Sequence, residues 1–176
     1  MRSVSVIFFL GMLFAGSVLA ERADRDKPVY LESDSATVEN TGRSNGKDRI
    51  SVFTGNVVFT QGTLVIRSDK MVVKEDANGF RNVTAYGNLV SFRQKRDGMN
   101  EYIEGWSERM EYDSKADKVE LFKQARLKRG LDEVHGDYIS YEATTEFFQV
   151  NKGAKTKIKP NSRVRAIIRP KNKKKN

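Results

Sequence analysis

Val52-Phe53-Thr54-Gly55-Asn56-Val57-Val58-Phe59-Thr60, followed at once by Gln61-Gly62 and the run Leu64–Val73, decides the fold. β-branched and aromatic residues alternate with polar ones at about period two, the spacing of a strand with one covered face. Gln61-Gly62 is a turn signal, so the two runs form a hairpin. The same pattern recurs at Val83–Phe92, Val119–Leu127 and Val134–Tyr141. Glu101–Tyr112 is the most ambiguous stretch; Met110 and Tyr112 share a strand parity, and it reads as mostly strand. Helical spacing is sustained nowhere after residue 20.

Turn signals punctuate these runs at Arg43-Ser44-Asn45-Gly46, Ala77-Asn78-Gly79, Arg96-Asp97-Gly98, Ser114-Lys115-Ala116 and Arg129-Gly130. Many short strands separated in this way predict an all-β domain, a barrel or a sandwich. One parity is apolar: Val29 and Leu31; Phe53, Val57 and Phe59; Leu64 and Ile66; Met110 and Tyr112; Val119, Leu121 and Leu127; Ile139 and Tyr141. The opposite parity carries most of the charge. A curved sheet with such an inner face has two fates, a closed core or the lining of an apolar ligand site, and periodicity leaves both open.

Two weak internal repeats accompany the alternation. Leu31-Glu32-Ser33-Asp34-Ser35-Ala36-Thr37-Val38 resembles Ile66-Arg67-Ser68-Asp69-Lys70-Met71-Val72-Val73, with a degenerate copy at Val134-His135-Gly136-Asp137-Tyr138-Ile139-Ser140-Tyr141. Phe53-Thr54-Gly55-Asn56-Val57 resembles Ala85-Tyr86-Gly87-Asn88-Leu89. Repeated hairpins cannot bury an apolar face alone and need neighbours to cover it. The glycines fit bends or bulges that curve the sheet.

The 176 residues have room for one ordinary domain. Met1–Ala20 has the layout of a secretory signal: Arg2, a short apolar run Val4–Phe14, and Val18-Leu19-Ala20 as a small-x-small cleavage site between Ala20 and Glu21. The apolar run is too short for a stable membrane span. The expected organisation is a signal peptide at 1–20, one β domain at 21–158 and a basic, disordered tail at 159–176. The expected location is the periplasm. The net charge of +9 sits in the tail: residues 152–176 carry eleven Lys or Arg and no acid, whereas residues 21–151 carry twenty against twenty-three Asp or Glu. An exported body with a balance of −3 argues against nucleic acid as a partner. The tail suits anionic lipid head groups or simple solubility.

Chemistry-bearing motifs are sparse. There is no cysteine, which removes disulfides, thiolate metal sites and cysteine nucleophiles, and His135 is the sole histidine. No nucleophile elbow, Walker loop or two-histidine zinc motif occurs. Glu101 with Glu104, or Asp132 with Glu133, are neighbours expected by chance among twenty-three acids. Trp106 reads as packing, and Phe92-Arg93-Gln94-Lys95-Arg96 as a solvated hairpin end. No catalytic residue, cofactor or metal is expected.

Several strings in fixed order carry a resemblance: Pro28-Val29-Tyr30-Leu31-Glu32-Ser33-Asp34, Phe53-Thr54-Gly55-Asn56-Val57-Val58, Thr60-Gln61-Gly62-Thr63 with Ser68-Asp69-Lys70, Tyr86-Gly87-Asn88, Glu104-Gly105 and Gly136-Asp137-Tyr138-Ile139. Together they span about residues 26–150, and the set is similar to the LptA/OstA family of periplasmic lipopolysaccharide-transport proteins. The resemblance implies an open-ended twisted β-jellyroll, two antiparallel sheets forming a V-shaped groove for lipid A. It implies transport rather than catalysis. The implied partners are lipopolysaccharide, an inner-membrane extraction complex, an outer-membrane translocon, and further copies of the chain joined head to tail. By position it places Val29 and Leu31 on the first strand at the mouth of the groove, with Phe92 and Tyr112 further inside. Two departures from the family stand out: Ser68 where alanine is more usual, and Gly42–Asp48 as a longer first hairpin loop.

An open jellyroll leaves edge strands at both ends, expected at about Val29–Val38 and at about Thr145–Val150 with Ala154–Ile158. Val29, Leu31, Phe147 and Val150 are the expected joining residues between copies. A periplasmic binding or scaffold domain with a closed core is the competing reading. A carbohydrate-active β-sandwich enzyme ranks third.

Overall fold

Six long antiparallel strands form the body of the protein, in a computed structural model that describes residues 24, 26–41, 48–96, 98–151 and 163–169. The expected signal and its cleavage site, the first hairpin loop, residues 154–158 and the end of the tail lie outside the described residues. The long strands are β3 (Asp48–Gln61), β4 (Leu64–Glu75), β5 (Arg81–Lys95), β6 (Tyr102–Asp113), β7 (Lys118–Arg129) and β8 (Asp132–Glu142). Four short strands flank them: β1 (Val29–Glu32) and β2 (Ser35–Thr41) at one end, β9 (Phe147–Asn151) and β10 (Arg165–Ile167) at the other. Each long strand pairs with the next in sequence, and among the described residues no pairing joins the first edge to the last. The sheet therefore stays open, as an all-β open jellyroll.

Every long-strand pairing is interrupted once near its middle. The register shifts fall between Thr54 and Val57, Arg67 and Lys70, Tyr86 and Val90, Trp106 and Arg109, and Phe122 and Ala125. A bulge bends a strand and increases its twist, so five aligned bulges form a crease dividing the sheet into two leaves. The first leaf contains β1, the halves of β3–β8 nearer Gln61, and β10. The second contains β2, the halves nearer Arg49, and β9. The short strands share the two edges: β1 and β2 lie end to end along β3, and β10 and β9 along β8.

The two sequence repeats meet at this crease. Gly55 and Asn56 have φ of 83° and 48°, left-handed values that glycine and asparagine tolerate best. Asp34, from the break between β1 and β2, donates its backbone N–H to the Gly55 carbonyl at 2.9 Å and accepts from Asn56 Nδ2 at 3.0 Å. A Cβ at Gly55 would collide with the Asp34 carboxylate. One strand pair further on, Asp69 Oδ2 accepts from the Asn88 backbone N–H at 3.0 Å, beside Gly87. The Ser-Asp of one repeat thus satisfies the bent backbone of the Gly-Asn repeat.

The segment expected to be a disordered tail is not wholly outside the sheet. Arg165, Ala166 and Ile167 pair with His135, Val134 and Glu133. The strand Arg165-Ala166-Ile167 sits in the apolar run Val164-Arg165-Ala166-Ile167-Ile168, which the basic composition of the segment hid.

Candidate functional site

Inner-facing side chains line up across the sheet in unbroken rows. In the first leaf the row is Leu31, Phe59, Ile66, Phe92, Gly105, Leu127, Val134 and Ala166, each paired with the next. In the second leaf one row is Ala36, Phe53, Met71, Ala85, Met110, Leu121, Ile139 and Val150. Another is Val38, Ser51, Val73, Val83, Tyr112, Val119, Tyr141 and Phe148. All but one of the sequence-expected groove residues fall in these rows or, for Val57 and Leu64, in the buried core beside them; Val29 pairs with Gln61 at the first edge.

The leaves pack face to face with a stagger. Phe59 on β3 meets Tyr112 on β6 edge-on at 6.3 Å, and Phe92 on β5 stacks on Tyr141 of β8 at 6.5 Å. Both pairs join a strand of the first leaf to the strand three positions later in the second. At Gly105 the leaves come close. A Cβ there would strike the Phe92 ring and lie 2.9 Å from Leu121 Cδ1, on the opposite leaf. Glycine at this position lets the ring lie flat over β6.

Coverage changes along the rows. Phe59, Ile66, Met71, Met110 and Ile139 are completely buried. At the ends the same parity comes into the open: Leu31, Phe53, Val134, Phe148 and Val150 are half-buried, Ala36 and Ala166 exposed. At that end β7, β8 and β10 of the first leaf meet β9 of the second, with Arg129 over the Phe148 ring at 5.7 Å. Between them is a cavity of about 340 Å³, lined by Leu127, Val134, Phe148, Val150, Val164, Ala166, Ile167 and Ile168 together with Arg129, Asp132 and Glu133. Its volume lies at the small end of the roughly 300–1,000 Å³ typical of ligand clefts.

The open side of the fold, opposite the crease, carries an ionic clasp. Arg96 follows β5 on the parity of Phe92 and Gln94, so ring, amide and guanidinium succeed one another from interior to lip. Arg96 Nε and Nη2 lie 3.0 and 2.6 Å from the two carboxylate oxygens of Glu146, in the β8–β9 turn of the other leaf. Arg96 Nη1 donates to Glu101 at 2.7 Å. The Arg96 side chain is only 10% exposed. Its hydrogen bonds hold the Glu146 carboxyl below the usual carboxylate range, and Glu146 in turn raises the guanidinium.

The outer face presents different chemistry. Its concavity of about 690 Å³ includes Leu89, Trp106, Arg126, His135, Arg163 and Arg165. Arg126 stacks over Trp106 at 4.2 Å and lies 2.7 Å from Glu133, which also holds His135 Nε2 at 2.7 Å. Such a surface binds polar groups, whereas the cavity between the leaves is suited to hydrocarbon. Tyr138, also on the outer face, donates its hydroxyl to Glu120 and has its pKa pushed up to about 12, first by burial. Among the described residues, no three of His, Asp and Glu gather as a metal site.

Sequence reading missed Met71, Val73, Val83, Ala85, Val90 and Ile103 on the inner face, although all are buried. On β4 the inner parity changes from Leu64 and Ile66 to Met71 and Val73 across the bulge, and a strict period of two loses count there. Arg96 and Glu146 are fifty residues apart and carry no local signal of pairing.

A family model described as the LptA/(LptD N-terminal domain) LPS transport protein matches residues 30–147. The chain is 32% identical over 141 residues to the lipopolysaccharide export system protein LptA of Escherichia coli, covering 75% of this chain and 72% of that one. It is 25% identical over 174 residues to the lipopolysaccharide export system protein LptH of Pseudomonas aeruginosa, covering 97% and 96% respectively. The crystal structure of LptH from that organism, described as the LptA-homologous periplasmic component of a lipopolysaccharide transport device, superposes with a TM-score of 0.75. It shares 23% identity, over 84% of this chain and 99% of the other.

Proposed function

The chain belongs to the LptA/LptD N-terminal domain family of lipopolysaccharide transport proteins, and we propose on that footing that it is a periplasmic carrier of lipopolysaccharide. Acyl chains lie between the two leaves while sugars and phosphates stay in water along the open lip. One observation carries this reading: the apolar rows traverse all eight strand positions of each leaf, and their ends lie open, one against the 340 Å³ cavity. A contact surface without directional bonds lets a hydrocarbon slide. Every buried methylene contributes about 0.8 kcal/mol, so ten contribute about 8 kcal/mol.

The middle of the interior is closed by side chains, so a passing chain must part the leaves there. Resistance comes first from uncovering the buried apolar rows, to which two aromatic pairs add about 0.5–1.5 kcal/mol each and one clasp with charged hydrogen bonds about 1.5–3 kcal/mol. Met71 and Met110, both in the second leaf's inner row, are the side chains best able to repack around a guest. The sequence has no nucleotide-binding loop, so work for directional movement comes from a partner. We assign the two unlike ends to the extraction complex of the inner membrane and the translocon of the outer membrane. Copies between them join head to tail, with β1 and β2 of one adding to the last strands of the next.

Photo-crosslinking residues at Leu31, Phe92, Tyr112 and Phe148 test the carrier reading. Lipopolysaccharide adducts are expected at these four and not at outward-facing Arg67. Adducts at Arg67 alone would reject the interior as the path. The complete burial of the central rows favours a second reading, a closed scaffold that carries no lipid. Native mass spectrometry of protein from an envelope extract separates the two, since only the carrier retains lipopolysaccharide.

A further inference from the structure

Two places on the lip are built from the same inner-face sequence, with opposite results. On β3 the Phe59 ring is followed at strand spacing by Gln61; on β5 Phe92 is followed by Gln94 and then Arg96. Phe59 meets Tyr112 and Phe92 stacks on Tyr141, and the two tyrosines share one cross-strand row of the second leaf with Val119 between them. Beyond Tyr141 the clasp of Arg96 with Glu146 closes the lip. Beyond Tyr112 lies instead a gap of about 230 Å³, with that buried tyrosine at its inner side.

Local hydrogen bonds fix both walls of the gap. On the first-leaf side, Gln61 Nε2 donates to the Lys27 carbonyl at 3.3 Å, and the Lys27 backbone N–H donates to the Asp24 carbonyl at 3.1 Å. Thr63 donates its hydroxyl to the Asp24 carboxylate, which fills the space a side chain at Gly62 would need. The segment before β1 is thereby pinned to the β3–β4 turn and carries Asp26 to the gap. On the second-leaf side, Asp76 Oδ1 accepts from the backbone N–H groups of Asn78 and Phe80 at 2.8 and 3.0 Å. The Arg81 N–H donates to Ser114 Oγ at 2.8 Å, and the Ser114 N–H returns a bond to the Arg81 carbonyl at 3.0 Å, which ties the β4–β5 turn to the β6–β7 turn. Lys115 lies over the Phe80 ring at 5.6 Å.

The gap thus gathers one carboxylate, two amides, a guanidinium, an ammonium and a hydroxyl beside a phenylalanine ring that is 39% exposed. Donors and acceptors mixed in this way match the neighbouring hydroxyls of a sugar, and an aromatic ring suits its C–H face. Asp26 accepts readily from a hydroxyl but repels a bare anion. The volume lies below the roughly 300–1,000 Å³ of drug-sized clefts, so it suits one ring rather than a chain of them. On either side of Tyr112 the inner row continues as Val83 and Val119, both buried. A polar gap and an apolar row that meet at one residue fit an amphiphile. We infer that the gap beside Tyr112 is a saccharide subsite, which holds the acyl-bearing sugar of a glycolipid while its hydrocarbon passes Tyr112 between the leaves. This rests on the carrier reading and deepens it, since one sugar is then recognised at a defined point of the lip while the rest stays in water.

Decyl glucoside and decanol, which share a hydrocarbon and differ only in the sugar, test it by equilibrium binding to the full chain below micelle-forming concentrations. The parent is expected to bind the glucoside about tenfold more tightly. A variant carrying D26A, N78A and K115A alters three exposed side chains. Its affinity for the glucoside is expected to fall to the decanol level, with decanol binding unchanged. Inorganic phosphate is expected to leave glucoside binding as it was. Equal affinity of the parent for the two probes, which needs no variant to measure, overturns the subsite and leaves the carrier reading standing. So does a variant that weakens both probes alike or neither. Displacement of the glucoside by phosphate makes the gap an anion site and overturns the sugar assignment. If neither probe binds the parent, the subsite and the carrier reading fall together.

Discussion

The centre and the two ends of the sheet have the same inner chemistry and opposite circumstances. Phe92 on β5 and Ala166 on β10 belong to one cross-strand row, yet Phe92 is 2% exposed and Ala166 open to solvent. Long strands with neighbours on both sides and a leaf opposite make up the centre. Three to seven residues per strand, an unpaired outer edge and incomplete cover make up the ends. Stability is concentrated where the rows are covered. The ends keep apolar surface and backbone donors that a self-contained domain would hide.

Truncation in a covered row should have the largest effect. Phe59→Ala is expected to destabilise by about 3–5 kcal/mol, measured by urea unfolding. Val38→Ala in the exposed end of an inner row should stay within about 0.5 kcal/mol. Equal losses would erase the contrast between centre and ends.

Next comes the close approach of the leaves. Gly105→Ala pushes a methyl into the Phe92 ring and should cost about 1–3 kcal/mol through overpacking. The double variant Gly105→Ala with Phe92→Leu should cost less than the sum of the two single changes. Simple additivity would place the strain elsewhere.

The clasp gives a smaller effect with a signature in pH. Glu146→Gln is expected to remove about 1.5–3 kcal/mol at pH 7. Because the Glu146 carboxyl is depressed in the folded chain, its stabilisation is complete above the ordinary carboxylate pKa and disappears as pH falls through the depressed value. Parent and variant should therefore converge in strong acid, where unfolding curves at successive pH values would show it. A gap that persists there would mean that the carboxylate charge is not what holds the lip.

The smallest change in stability, and the largest in assembly, belongs to β1. Leu31→Asp is expected to shift the unfolding midpoint little, because its side chain is only half-buried, and to weaken self-association by at least tenfold in sedimentation.

The class of fold and much of the inner face were legible because a strand with one covered side writes itself at period two. Val119, Leu121 and Leu127 on β7 kept their parity across the bulge and were read correctly onto the inner face. Met71 and Val73 did not keep theirs, and nothing local announces a skipped residue at Ser68-Asp69. The repeats were visible as likeness, but their meaning needed three dimensions, where Asp34 reaches Gly55-Asn56 and Asp69 reaches Asn88. β10 was hidden by composition: the segment 163–169, with three arginines in seven residues, read as tail until the pairing of Arg165–Ile167 with Glu133–His135 is seen. Arg96 and Glu146 were unreadable as a pair, since an ionic contact across two leaves depends on the stagger and not on sequence distance.

The crease has a mechanical consequence. All six long strands run through it, so the leaves behave like the covers of one book bound along a single spine. No page can be turned alone. A guest prising the covers apart at one end strains the binding along its length, and the far end is loosened before the guest arrives there.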